Sequence, residues 1–323
     1  MLRRGNYSTF LYLCSMRQGH VHELDFLKCV MIVLMVSFHL VYIGDSYPYA
    51  KQVVYTFHMP VFLIISGYLM NVMRPWGDFL RKMGWLALPY LLMEGGYILM
   101  ASILPIREHI DGLTPLLVLD KLFLHPLGPY WYLQVMVVCG LSYYGVFRLS
   151  RLSLLPKLIV LGVLFACYAW AGVIAQSASF YFLAGIAVRQ SGVQFLRLFR
   201  PSWLALVPLA WLAVYPENLH SNTIAGAMMV YLVVSFLLAV YPLVGGQVRQ
   251  LMLFLGRNTL QLFLFSPLFT ILCKPLVPVL SFDPSGMLFL VVSLAICLSG
   301  SLFVGWVLDK VCISPFLFGR KLF

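Results

Sequence analysis

Charge is scarce in this chain. Only 10% of its 323 residues are Asp, Glu, Lys or Arg, against about 25% in an ordinary soluble domain. Acidic side chains are scarcer still, 11 against 22 Lys and Arg. Polar connecting sequence is short as well. With 62% of residues hydrophobic and a mean hydropathy of +0.92, composition argues against a water-soluble fold and leaves no room for a separate soluble domain. The seven cysteines show no CxxC or Cys/His spacing, so neither a disulfide framework nor a zinc site is expected. There is no GxSxG elbow, HExxH pair, Walker loop or dinucleotide fingerprint, which removes several enzyme classes without selecting one.

What is present is apolar sequence in helix-length runs. The 24 glycines and 18 prolines lie largely inside those runs, a trait of helix bundles and not of barrels with an alternating polar lumen face. The fold class expected is therefore all-α, a polytopic membrane bundle. Runs of roughly 20 residues match a hydrocarbon core about 30 Å thick. They predict about ten transmembrane helices, near 26–44, 53–73, 84–104, 128–147, 158–175, 178–190, 202–216, 223–245, 259–278 and 286–308, the sixth and seventh short. A tail 1–22, a membrane domain 23–308 and a tail 309–323 follow from this.

Cations set the expected orientation. Only Lys51, Arg107, Lys121 and Lys274 fall on one side, while Lys28 sits at the start of the first span and the remaining Lys and Arg fall on the other side. That asymmetry predicts both termini in the cytosol and a multi-pass membrane protein. It also turns the net charge of +11 into a topology signal, so no nucleic-acid partner is expected. The outer side is acidic, with Asp45, Glu108, Asp111, Asp120, Glu217 and Asp283. The apolar stretch Phe10–Cys14 is too short for a signal peptide, and the pattern strengthening from Met16 predicts an alternative translation start there.

A polar side chain at membrane depth costs free energy and is a functional candidate by default. His39 lies about 13 residues past Phe26, or ~20 Å up an outward-running helix. His58, early in the returning span, reaches similar depth, so both imidazoles are expected to face one cavity. Glu94 falls near mid-bilayer in the third span, either paired with an imidazole or as a polar contact where Gly95 and Gly96 let helices approach. Imidazole suits proton removal from a hydroxyl near neutral pH. These residues alone support an integral membrane protein with a His-bearing polar cavity.

Several motifs go further. Leu24-Asp25-Phe26-Leu27-Lys28-Cys29 is followed, with ten residues intervening after Lys28, by His39. Phe57-His58-Met59-Pro60 runs into Val61–Ile65 and then Ser66-Gly67-Tyr68-Leu69. Phe79-Leu80-Arg81-Lys82 leads to Leu88-Pro89-Tyr90, then come Trp131-Tyr132-Leu133, Phe180–Gly185 and Phe254–Leu260. In this order, from about 22 to 305, the chain resembles the membrane-bound acyltransferase family 3. It departs from the commonest pattern at Lys28, where an Arg is usual, at Arg81-Lys82-Met83, where many members have Arg-X-Arg, and at Phe263 and Ser266, where many have Tyr and His.

The resemblance implies an enzyme that moves an acetyl or succinyl group from cytosolic acyl-CoA (acetyl-CoA or succinyl-CoA) to a hydroxyl of a surface saccharide or glycolipid acceptor, with no permanently bound cofactor. His39 would be the general base or a transient acyl carrier, with His58 and Glu94 as further catalytic candidates. Arg74, Arg81 and Lys82 would meet donor phosphates or lipid headgroups, and Lys28 would bind donor, pair with Asp25 or Glu23, or snorkel. Ser66 would pack or hydrogen-bond, and Trp131 and Tyr132 would contact acceptor or anchor in the bilayer interface. Two other classes remain open: a transporter of a lipid-linked saccharide, and an inactive scaffold of a polysaccharide assembly complex.

Overall fold

The computed structural model describes residues 21–103 and 109–323. The expected start at Met16, the stretch Phe10–Cys14, most of the tail 1–22, and the outer residues Arg107 and Glu108 lie outside the described residues. Among those described there is helix and no strand, and every one of the ten apolar segments carries a helix. The longer helices are α1 (His22–His39), α2 (Val41–Ser46), α3 (Pro48–Leu69), α4 (Trp76–Ile103), α5 (Pro115–Phe123), α6 (Trp131–Leu149) and α7 (Leu154–Trp170). They continue as α8 (Gln176–Gln190), α9 (Leu206–Ala213), α10 (Ile224–Val240), α11 (Gly246–Arg257), α12 (Thr259–Leu272), α13 (Met287–Lys310) and α14 (Ser314–Phe318).

Helical segments and membrane crossings are not the same count. Among the described residues five helices are long and apolar enough to cross: α3, α4, α6, α10 extended to Leu243, and α13. The pair α11–α12 makes a sixth if its 84° bend at Asn258 lies within one span. Helix α1, only 18 residues long, carries Glu23, Asp25 and Lys28 in its first two turns, and α7 and α9 are apolar but short. Two of the short helices, α8 and α9, are the ones whose apolar runs are short in sequence.

Outward faces are hydrocarbon-like. On α7, Leu155, Ile159 and Val163 recur at helical spacing and are exposed, as are Val207, Trp211 and Val214 on and just after α9. Apolar side chains turned outward on helices whose backbone groups bond internally suit a lipid environment.

Inside, α3 and α8 make the most extensive helix contact, and two glycines permit it. A Cβ at Gly67 would overlap the Phe182 carbonyl, and one at Gly185 would overlap the Ile64 carbonyl. The backbones therefore touch directly, the small-residue packing that drives helix association where lipid removes a hydrophobic incentive. A similar approach joins α11 to α1. Gly256, at the end of α11, lies against the Asp25 backbone carbonyl, and the next residue, Arg257, reaches the Asp25 carboxylate with Nε at 3.4 Å.

Candidate functional site

Helices α1 and α3 run antiparallel, so residues late in α1 and early in α3 share one end of the bundle, called here the upper end. The opposite, lower end carries Lys28, Arg74, Arg81 and Lys82. Two cavities lie along this axis. The upper, about 380 Å³, is lined by His39, Tyr55, His58, Trp131, Tyr181 and Ser221 among others. The lower, about 220 Å³, is lined by Lys28, Ser66, Lys82, Tyr132 and Phe263 with several aliphatic side chains. Met59 borders both.

Each histidine is held in one tautomer. His39 Nδ1 lies 2.7 Å from the Met35 carbonyl oxygen, and His58 Nδ1 lies 2.9 Å from that of Val54. A carbonyl only accepts, so in each case Nδ1–H donates and the lone pair of the neutral ring sits on Nε2. No hydrogen bond to Nε2 of either ring occurs among the described residues. His39 is half-buried and His58 is 3% exposed. Between them stands Tyr55, its ring centroid 5.9 Å from His39 and 5.0 Å from His58, its hydroxyl donating to the Phe38 carbonyl at 3.3 Å. Pro60, two residues past His58, has no N–H for the Thr56 carbonyl, which loosens the helix beside the cavity.

Above the histidines the site widens into a third opening of about 470 Å³, lined by Lys51, Gln52, Tyr55, Thr56, His220, Ser221 and Asn222 among others. Tyr55 and Ser221 belong to both spaces. Lys51 lies 5.8 Å from the Tyr55 ring centroid and 4.0 Å from the Asp45 carboxylate. Sequence reasoning missed Lys51 and Tyr55. Their signal is spacing: 51, 55 and 58 recur at helical intervals on one face of α3.

In the lower cavity the Ser66 hydroxyl and the Tyr132 hydroxyl are 2.6 Å apart. Tyr132 and its neighbour Trp131 face different cavities, Tyr132 the lower and Trp131 the upper. Lys28 Nζ is 2.7 Å from the Asp25 carboxylate, itself 3% exposed. That ion pair holds the lysine at the cavity wall, and removing Asp25 would leave a poorly solvated cation. Phe263 lines the lower cavity with its ring 5.2 Å from that of Tyr132, whereas Ser266 is buried and lines neither space.

The structure thus assembles His39, His58 and Trp131 above, and Lys28, Lys82, Ser66 and Tyr132 below. Glu94, Arg74 and Arg81 line neither cavity. Glu94 is fully buried, and its Oε1 accepts the Leu127 N–H at 2.6 Å, tying α4 to the loop ahead of α6. Of the two alternatives the sequence leaves open, an imidazole pair or a polar contact, this bond to a loop N–H is of the second kind. Arg81 is exposed at the lower end. Among the described residues no group of three or more His, Cys, Asp or Glu could hold a metal ion.

An imidazole lone pair at a largely apolar cavity, above a second cavity bearing cations, can take a proton from a hydroxyl and accommodate an anionic co-reactant below. A family model described as an acyltransferase domain matches residues 21–307. Nothing among curated proteins or solved structures matches the chain. The matched span contains both histidines, the Met59–Gly67 segment and every residue named in the two cavities, and the chain belongs to the membrane acyltransferase family 3.

Proposed function

We propose that the protein transfers a short acyl group, acetyl or succinyl, from acyl-CoA at its lower, cytosolic end to a hydroxyl of a saccharide or glycolipid entering from the upper end. The observation that carries this reading is the His39 ring, pinned at Nδ1 by the Met35 carbonyl and lining the upper cavity. His39 Nε2 removes the hydroxyl proton and the oxygen attacks the thioester carbonyl. The carbon–sulfur bond breaks, and the imidazolium returns its proton to the departing thiolate.

The remaining residues divide along the axis. Tyr55, Lys51, Gln52 and Asn222 at the upper opening present a ring face, a cation and amides to a hydroxyl-rich acceptor. The aliphatic lower cavity receives the acyl-pantetheine arm, with Ser66 and Tyr132 as its polar contacts and Lys28 and Lys82 toward the donor's phosphates. His58, across Tyr55 from His39, binds the acceptor through Nε2. Loss of one such hydrogen bond is worth about 1 kcal/mol, so His58→Gln is expected to slow transfer by about tenfold or less. Steady-state assays of the purified variant check this.

The reading is tested by comparing surface glycans of deletion and wild-type cells by mass spectrometry, alongside purified protein given labelled acetyl-CoA or succinyl-CoA. It predicts that the wild-type glycans alone carry the mass of one acyl group per modified sugar and that purified protein moves label to that glycan. Identical glycans, with no consumption of either donor, would refute the enzymatic reading and favour a carrier or scaffold.

A further inference from the structure

The two cavities are separated at one level of the bundle, and a single side chain stands in both walls. On α1 the lining passes from the lower cavity to the upper between Ile32 and Met35, and at the start of α6 it passes between Tyr132 and Trp131. On α3 the residue at this level is Met59, which borders both spaces, as no other described side chain does. His39 stands seven residues above Ile32 on α1, or about 10 Å along the helix axis. A group held in the lower cavity is therefore parted from the imidazole by Met59.

The aromatic side of this level is fixed. Tyr132 is tied through its hydroxyl to Ser66 at 2.6 Å, and the rings of Phe62 and Phe263 stand 6.0 Å and 5.2 Å from its own. Met59 differs, because its unbranched thioether chain turns about three bonds and refits readily to new surroundings. It is 9% exposed, with about 220 Å³ of space below it and about 380 Å³ above. Its backbone has play as well, since the neighbouring Pro60 withholds an N–H from the Thr56 carbonyl. Turning this one side chain aside would join the two spaces. The displaced chain and the group that takes its place then share one volume, so the length of one limits the length of the other.

We infer that Met59 is a movable partition between the donor and acceptor cavities and the residue that limits the length of the acyl group delivered to His39. The assignment deepens the proposed function and rests on it. Short acyl chains share the space with the Met59 side chain, and long ones are turned away. Ala in its place frees room for about three further acyl carbons. Leu, close to Met in volume, keeps the limit where it is.

The test uses full-length protein, with Met59→Ala and Met59→Leu beside wild type. Transfer of labelled acetyl and hexanoyl groups from their coenzyme A thioesters is followed in membranes, which supply the acceptor. The kcat/KM for hexanoyl relative to acetyl is expected to rise about tenfold or more in Met59→Ala, because a methylene fitted or refused by an apolar pocket is worth about that much. In Met59→Leu the ratio stays near wild type. General damage to the fold would lower both rates and leave their ratio alone. A second arm needs no turnover. Leu63 borders the upper cavity and not the lower, so Leu63→Cys is treated with a membrane-impermeant methanethiosulfonate from the lower side of sealed vesicles, and labelling is read by mass spectrometry on the peptide carrying position 63. Labelling is expected to be slow with Met59 in place and several-fold faster when Met59→Ala is added. An unchanged acyl ratio or an unchanged labelling rate overturns the assignment. If wild type turns over neither donor, the proposed function fails on its own and the labelling decides whether Met59 parts the cavities.

Discussion

His39→Ala is expected to transfer acyl groups about 10²- to 10⁴-fold more slowly than wild type while remaining at normal abundance in the membrane, since a positioned general base contributes about that much. Activity and abundance separate because of where the ring sits. Its Nδ1 bond runs to the carbonyl four residues back on the same helix, and the ring lines a cavity of about 380 Å³. Truncation thus enlarges an existing space and severs no contact between helices made by that bond. Quantitative immunoblotting of membranes, beside label transfer from acyl-CoA, gives both numbers. Transfer at the wild-type rate would remove His39 from the chemistry.

Gly185→Leu is expected to do the opposite, removing the folded protein itself. The α3–α8 contact places the Ile64 carbonyl where any Cβ at 185 would stand, and the Gly67–Phe182 carbonyl contact repeats the arrangement nearby. Backbone cannot rotate aside as a side chain can, so the two helices must separate along their length. Overpacking of an ordinary core costs about 1–3 kcal/mol, and a clash with rigid backbone lies at or above the top of that range. Since α3 carries Tyr55, His58 and Ser66, separation would also open both cavities. Fluorescence-detected size exclusion and thermal melts in detergent should show a reduced monodisperse peak and a lower Tm, with Gly185→Ala intermediate. A Leu variant melting with wild type would mean that the helices do not meet here.

Placement of helices was legible because apolar runs and their Pro/Gly and cationic breaks are local properties. The number of crossings was less so: α1 reads as apolar from Phe26 onward, yet its first turns hold Glu23, Asp25 and Lys28, and the buried Asp25 carboxylate pairs with both Lys28 and Arg257. The meeting of His39 and His58 followed from equal depth on antiparallel helices. The partner of Glu94 did not, because a backbone N–H in a loop leaves no trace in side-chain identity. Nor did the position of the C-terminal segment, which depends on the left-handed turn at Gly319, the indole of Trp85 and the carboxylate of Asp309, residues that no periodicity connects.

The claim on which the account turns is that the His39 ring handles a proton during transfer. Its most direct test is the pH dependence of kcat/KM for wild type and for the residual activity of His39→Ala, measured in the same vesicles at raised protein concentration. A base that must be neutral gives a rate falling with unit slope on the acid side. The account predicts that limb in wild type and its absence in the variant. The same acid limb in both proteins would contradict it.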